Sequence, residues 1–190
     1  MKLKKRFLAL GLALTLALGC FTGCGTTDED TSAAPVEEKS NIIAQAGGSI
    51  TWPEGMDTSV TFGSQMSGDS LYLVFNGVQN RFSNYFTAAG DSLTITSYAT
   101  AENENATDLY LVTLWKESSG GRQYVDNCTI EFRSGGDCST ATFTGLEPGM
   151  RYKVSIAYMS GTYQISGGLS ISGVANADTL SDDGASGTNA

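Results

Sequence analysis

The chain has 190 residues, with 20 acidic and 11 basic side chains, no histidine and a formal charge of −9. This charge excludes a broad basic face for nucleic acid or for anionic lipid headgroups, and the lack of histidine removes the commonest general base and neutral metal ligand. The sequence also has no Gly-x-Ser-x-Gly elbow and no phosphate-binding glycine loop. We therefore expect no enzymatic activity, no cofactor and no resident metal.

The first 23 residues have the layout of a secretory signal peptide. A positive segment, residues 1–6, precedes the uncharged apolar stretch 7–18, and small residues follow at Gly19 and Gly23. The apolar stretch is too short for a membrane-spanning helix, which needs roughly 20 residues. We therefore predict that the protein is exported and that residues 1–23 are removed.

Two Gly-Cys pairs end this region, in residues 17–20 (Ala-Leu-Gly-Cys) and 21–24 (Phe-Thr-Gly-Cys). Both resemble the lipobox of bacterial lipoproteins, in which the Cys receives diacylglycerol and becomes the first mature residue; its thiolate is the required nucleophile. The resemblance implies a palmitate-bearing anchor at Cys24, with Cys20 as the alternative, on the extracytoplasmic side of a bacterial membrane. A secreted protein without lipid is the remaining possibility.

The remainder of the chain divides into a domain and two polar flanks. Residues 24–47 are acidic and lack any apolar period, so they are predicted to be a disordered tether. Residues 175–190 are predicted to be a disordered tail. The stretch 48–174 is long enough for one domain with its own core.

Apolar and polar residues alternate with a period of two throughout this domain. The pattern covers residues 71–75, 93–96, 129–133, 140–144, 151–158 and 165–171. Residues 109–115 are apolar on both faces, which indicates a strand in the middle of a sheet. With residues 60–62 these segments give about 8–9 strands separated by turns, and no helix. The predicted fold is an all-β antiparallel β-sandwich, Ig/fibronectin-like or jelly-roll-like.

Cys128 and Cys138 are the two cysteines outside the export signal. An even pair this close, in an oxidising compartment, predicts a disulfide. However, a tight hairpin centred on residues 134–137 would pair Arg133 with Cys138 and would leave the two sulfur atoms apart. The disulfide therefore requires a wider loop or a bulge here, and two buried thiols are the alternative.

Residues 146–152, Leu-Glu-Pro-Gly-Met-Arg-Tyr, precede an alternating strand. They resemble the tyrosine corner of fibronectin type III and related sandwiches. The resemblance implies that Leu146 closes the edge of the core, that Pro148 turns the chain between sheets, and that the Tyr152 hydroxyl bonds to upstream backbone.

Four short segments also occur in an order that resembles the bacterial pre-peptidase C-terminal domain, an accessory sandwich of secreted enzymes. They are residues 84–86, 90–95, 108–111 and 161–165. Both resemblances imply a sandwich appended for binding or spacing rather than for catalysis.

Aromatic side chains are the main candidates for ligand contact, because sugar rings stack on them. Trp52 and Tyr124 lie near predicted loops and are the preferred candidates, whereas Trp115 is predicted to pack in the core or on a strand face. The loop from Glu102 to Asp108 is rich in oxygen ligands that suit calcium, but a solvated acidic loop explains it as well.

The sequence thus predicts an envelope lipoprotein that presents a β-sandwich binding module for a glycan or a protein. The alternative is a structural spacer or accessory subunit without a small-molecule site. The expected partners are the lipid bilayer, through the N-terminal acyl anchor, and a glycan or envelope protein; no nucleic acid is expected. An exposed aromatic cluster on one face favours the binding module, and a smooth polar surface with a bare strand edge favours the spacer.

Overall fold

The computed structural model describes residues 40–103 and 108–178, and in them it confirms the predicted β-sandwich. The described residues form thirteen strands in two sheets and no helix. Correspondingly, no helix in the described ranges is long and apolar enough to cross a membrane.

The first sheet has seven strands in the order β1-β9-β8-β11-β6-β13, with β5 also paired to β11. Its strands are β1 (Ile42–Ile43), β5 (Asn80–Phe82), β6 (Phe86–Ala88), β8 (Leu109–Ser118), β9 (Gly121–Arg133), β11 (Arg151–Tyr158) and β13 (Val174–Ala177). β1 runs parallel to β9, and the other pairings in this sheet are antiparallel. As predicted, β8 lies inside the sheet, between β9 and β11.

The second sheet has six strands in the order β2-β10-β7-β12-β4-β3. They are β2 (Gln45–Ala46), β3 (Phe62–Ser67), β4 (Ser70–Val78), β7 (Ser92–Ala101), β10 (Ser139–Thr144) and β12 (Ile165–Ser172). All its pairings are antiparallel. β9 and β10 are consecutive in the chain but lie in different sheets, so the chain crosses from one layer to the other at residues 134–137.

Every second residue of each long strand points into the space between the sheets, as the period-two pattern requires, and these residues form the core. The largest fully buried side chains are Tyr110, Phe75, Phe86, Phe132, Phe143, Leu73, Leu93, Ile95, Leu114, Ile130, Ile156 and Ile165. The alternate residues of the same strands face outward. The sandwich therefore presents two outer sheet faces, and these faces carry the aromatic clusters described below.

Both predicted domain boundaries need correction. Within the predicted tether, Ile42 pairs with Ile130 of β9, and Ala46 pairs with Ser139 of β10. At the other end β13 continues to Ala177, past the predicted start of the tail at residue 175. Polar composition hid these segments because two to four residues are too few to show a period. Residues 24–39 and 179–190 of these flanks lie outside the described residues.

The predicted disulfide between Cys128 and Cys138 is wrong, because both residues are free cysteines. Cys128 lies in β9, five residues before the strand ends at Arg133, a distance of about 16 Å along the strand. Cys138 follows the crossing into the other sheet, whereas a disulfide needs Cα atoms within about 7 Å. Cys128 is buried in the core instead, and burial raises the pKa of its thiol.

Candidate ligand-binding site

A surface cavity of about 230 Å³ opens on the outer face of the six-stranded sheet, where β4, β7 and β12 meet. We call it the Trp52 pocket. It is lined by Trp52, Thr58, Val74, Asn76, Tyr98, Thr100, Ser166 and Gly167. None of these eight residues carries a charge. The volume is below the roughly 300–1,000 Å³ of drug-sized sites, so it suits a ligand of about one ring.

A β-bulge builds one wall of the pocket. Between the pairs Ile165–Val78 and Gly167–Phe75, β4 places two residues, Asn76 and Gly77, opposite the single residue Ser166. Gly77 has a φ of +65°, a left-handed conformation that glycine adopts without strain. The Ser166 hydroxyl accepts a hydrogen bond of 3.0 Å from the Gly77 N–H. The bulge thus fixes Asn76 at the cavity wall.

A loop that spans residues 52–61 covers part of this face and carries Trp52. The Asn76 side-chain amide donates to the carbonyl oxygens of Thr58 and Val60, at 3.1 and 2.6 Å. Asp57 accepts hydrogen bonds from the hydroxyl and the backbone N–H of Ser59, and these bonds lower the pKa of Asp57. The loop is therefore held both to the sheet and internally, which positions Trp52 before a ligand arrives.

The indole of Trp52 lies directly on the backbone of β12. A Cβ atom on Gly168 would lie only 2.5 Å from the Cη2 and Cζ2 atoms of Trp52 and 3.0 Å from Cε1 of Tyr98. On another side the ring packs against Tyr72, with the ring centroids 6.4 Å apart and the planes at 54°. Only glycine leaves room for this arrangement, so Gly168 is the floor on which the half-buried Trp52 rests.

The two aromatic residues of the cavity, Trp52 and Tyr98, each carry a polar atom that no described residue engages. Within the described ranges, neither the indole N–H of Trp52 nor the hydroxyl of Tyr98 has a hydrogen-bond partner. By contrast, Thr100 donates to the Ser166 carbonyl at 3.5 Å, and Ser166 is held by Gly77. The cavity therefore combines apolar ring surface with two polar groups that remain available to a ligand.

The second predicted candidate, Tyr124, lies on the opposite outer face. It pairs across the strands with Trp115, whose ring centroid is 5.8 Å away, and Phe82 packs against the other side of Trp115 at 5.9 Å. Trp115 was predicted to pack in the core or on a strand face, and the structure places it on a strand face. It is half-buried on an outer face, because β8 is internal to its sheet but has only one face against the core.

The residues of the tyrosine corner come together as a turn and a hydrogen bond. Leu146 is buried, and Pro148-Gly149 form the centre of a turn closed by a 3.1 Å bond from the Met150 N–H to the Glu147 carbonyl. The Tyr152 hydroxyl accepts a 3.0 Å hydrogen bond from the Glu147 N–H. Burial raises the pKa of Tyr152. These groups close one end of the sandwich and take no part in either aromatic cluster.

The acidic loop at residues 102–108 is described only at its ends. The Glu102 carboxylate accepts a 3.3 Å hydrogen bond from the Gln164 N–H, and Asp108 forms an ion pair with Arg133. Both carboxylates are thus engaged in protein contacts. In the described part of the chain, no group of three or more acidic or cysteine side chains is placed to hold a metal. The predicted lipidation sites, Cys24 and Cys20, lie outside the described residues.

Tyr98 is an aromatic residue of the predicted domain, but the sequence does not place it beside Trp52, and sequence analysis missed Asn76. The available signal for Asn76 was its position before glycine at the end of an alternating strand, a pattern typical of a turn or bulge. No local sequence pattern predicts the contact between Trp52 and Gly168, because the two residues are far apart in the chain.

Comparisons with known proteins give no family. No protein-family model and no curated protein sequence matches this chain. Among solved structures, the enzymatically active domain of the bacteriophage CBA120 tailspike protein 4 is 14% identical over 60% of this chain, with a TM-score of 0.30. This chain spans 16% of that tailspike domain. A CBM4 structure is 12% identical, with 63% of this chain and 80% of the other covered and a TM-score of 0.28.

Proposed function

We propose that this protein is a non-catalytic binding module of the bacterial cell envelope and that the Trp52 pocket binds one neutral sugar ring of a glycan. The observation that carries the proposal is the pair of unpartnered polar groups, on Trp52 and Tyr98, at an uncharged cavity. Neither atom is buried, so both are reachable from the cavity, and a ligand that has apolar and polar surface together is able to pack on the rings and bond to these groups.

A sugar ring has this dual character. Its C–H faces pack on aromatic rings, while its hydroxyls form hydrogen bonds in the plane of the ring. Trp52 offers the larger aromatic surface, and the Tyr98 hydroxyl offers a donor and an acceptor. The lining adds no charge, so a neutral sugar is favoured over an acidic or basic one.

The envelope location depends on the N-terminal sequence, which supports a lipid anchor at Cys24, with Cys20 as the alternative. We expect mass spectrometry of the mature protein from a bacterial host to find acyl and diacylglyceryl groups on Cys24 as the first residue. A lipid on Cys20 would move the anchor by four residues. An unmodified mature N-terminus would contradict the proposed lipid anchor. Cys24→Ala is the matched variant, in which the modification should disappear.

Binding is tested by calorimetry with a panel of neutral oligosaccharides of glucose, xylose, galactose and N-acetylglucosamine. For any sugar that binds, Trp52→Ala should weaken affinity by at least about tenfold, because the stacking surface is lost. Gly168→Ala should also weaken binding, since the new methyl group displaces the indole. Tyr124→Ala is the matched control, because it removes an aromatic ring from the opposite face and should leave affinity unchanged.

Two results would contradict the proposal. If no neutral sugar binds, the spacer or accessory role becomes the better account of the fold. If Trp52→Ala and Tyr124→Ala weaken binding equally, the sugar is not held in the Trp52 pocket. Circular dichroism of each variant separates loss of affinity from loss of fold.

A further inference from the structure

The outer face of the seven-stranded sheet carries a second cluster, which we call the Trp115 patch. It consists of the aromatic residues Phe82, Tyr85, Trp115 and Tyr124 with the basic residues Arg122 and Lys153. We propose that the Trp115 patch is a separate binding face for an acidic polysaccharide, one whose sugar rings bear carboxylates.

Strand register brings these residues together. Trp115 of β8 lies opposite Tyr124 of β9 and opposite Lys153 of β11, so the three form one row across the sheet. Phe82 of β5 pairs with Ser155, two residues along β11 from Lys153. The row and Phe82 are therefore built on four adjacent strands, which makes their spacing a property of the sheet rather than of a loop.

Hydrogen bonds underneath the rings fix their orientation. The Trp115 indole N–H donates to the hydroxyl of Ser155 at 2.9 Å, and Ser155 is buried. The Tyr124 hydroxyl lies 3.3 Å from that of Thr129, which in turn lies 3.1 Å from that of Thr113. Unlike Trp52 and Tyr98, the aromatic residues here use their polar groups inside the protein. The patch thus offers a rigid platform of ring surface and charge.

Positive charge is concentrated on this platform. The Arg122 guanidinium lies 4.3 Å from the Phe82 ring centroid and 5.8 Å from that of Trp115. The Lys153 ammonium lies 4.9 Å from the Phe82 centroid and 4.8 Å from that of Tyr85. A guanidinium stacked on a ring keeps its N–H donors in its own plane, the geometry that suits a carboxylate.

The described part of the chain has few basic residues, and a large share of them lies at the Trp115 patch. The described ranges contain six: Arg81, Lys116, Arg122, Arg133, Arg151 and Lys153. Three of them, Arg122, Arg151 and Lys153, contact the rings of the patch. Arg151 is paired with Glu117 and Asp178, and Glu117 also lies opposite Arg122 in the strand register. Half of the basic side chains in the described ranges therefore lie on this face, in a chain of net charge −9.

A polysaccharide fits the patch better than an acidic peptide does. An extended peptide gains affinity by pairing its backbone with a free strand edge. Trp115 and Lys153 lie on β8 and β11, and each of these strands has neighbours on both sides. Their backbone groups are therefore used within the sheet, and what the patch offers is ring faces and charge, which match sugar rings with carboxylates.

The proposal is tested by calorimetry with oligogalacturonate, its fully methyl-esterified form and an oligoglutamate of equal charge. We expect oligogalacturonate to bind, its methyl ester to bind at least about tenfold more weakly, and the affinity to fall as salt rises. Arg122→Gln and Lys153→Gln should each weaken binding of oligogalacturonate by about tenfold. Arg133→Gln is the matched control, because it makes the same charge change at an exposed position outside the patch.

Absence of oligogalacturonate binding, or an equal loss in Arg133→Gln, would overturn the proposal. Equal or tighter binding of oligoglutamate would show that the face recognises acidic peptides instead. Trp52→Ala separates this face from the other, since it should leave oligogalacturonate binding intact. Conversely, Arg122→Gln should leave the binding of neutral sugars intact. The experiments therefore test the two proposed binding sites independently, and one proposal can be contradicted while the other stands.

Discussion

Gly167→Ala is expected to destabilise the sandwich by about 3 kcal/mol or more, at the upper end of what overpacking costs. A Cβ atom at this position would lie 2.1 Å from the Tyr98 carbonyl oxygen and 2.7 Å from the Cα of Ala99. Both atoms belong to the backbone of β7, which pairs with β12 here. These atoms move only if the two strands separate, so relieving the clash weakens the backbone hydrogen bonds between β7 and β12. Urea denaturation, followed by tryptophan fluorescence and circular dichroism, measures the loss.

Two neighbouring glycines provide controls for this prediction. At Gly168 a Cβ meets the far end of the Trp52 side chain, so Gly168→Ala should cost less stability and act mainly on binding. At Gly161 nothing lies within 4 Å of a Cβ, so Gly161→Ala should leave stability nearly unchanged. An unfolding midpoint for Gly167→Ala equal to that of Gly161→Ala would show that β7 and β12 are not packed this closely.

The long strands of this fold are readable from sequence, because each carries one apolar residue in two across a whole face. Leu71, Leu73 and Phe75 of β4 are all buried, and the same pattern continues in Tyr152, Val154 and Ile156 of β11. The first half of β9 has no such signal, since residues 121–127 reach past the core and are mostly exposed. The predicted number of strands was low because five short strands, of two to four residues, are defined only by their partners.

The ligand sites were less predictable than the fold because they depend on contacts between distant residues. The tendency of aromatic residues to line binding sites was enough to select Trp52 and Tyr124. It was not enough to show that the two lie on opposite faces, since this depends on which sheet each neighbouring strand joins. The sequence left open whether Trp115 packs in the core or on a strand face for a related reason: an apolar run indicates an internal strand, but it does not show whether a second layer covers both faces.

A buried chain of hydrogen bonds connects the two sheets and ends under the Trp52 pocket. The Tyr110 hydroxyl donates to the Ser97 hydroxyl at 2.9 Å, and Ser97 donates to the Gly168 carbonyl at 3.0 Å. Tyr110 and Ser97 both have 0% of their surface exposed. The chain therefore runs from β8 through β7 to the glycine on which Trp52 rests, so the floor of the pocket is tied to the core.

Ser97→Ala should cost more than Tyr110→Phe, although each removes one hydroxyl group. Tyr110→Phe loses one buried hydrogen bond, at about 0.5–1.5 kcal/mol, and leaves Ser97 bonded to Gly168. Ser97→Ala loses both bonds and leaves the Tyr110 hydroxyl buried without a partner, for about 2–4 kcal/mol. In the double variant no hydroxyl is stranded, so its cost should fall below the sum of the two by about 1 kcal/mol or more. Chemical denaturation of the four proteins closes this cycle.

The pH dependence of stability supplies an independent test of the same chain. Burial raises the pKa of Tyr110 above its usual value of 10.0, although the hydrogen bond to Ser97 lowers it in part. Above about pH 10 the unfolded chain releases this proton while the folded protein retains it, so the contribution of Tyr110 to stability is complete below pH 10 and declines as the pH rises. The free energy of unfolding should therefore fall less steeply above pH 10 in Tyr110→Phe than in the wild type. Equal slopes, together with additive costs in the cycle, would mean that the Tyr110 hydroxyl is hydrated rather than bonded to Ser97.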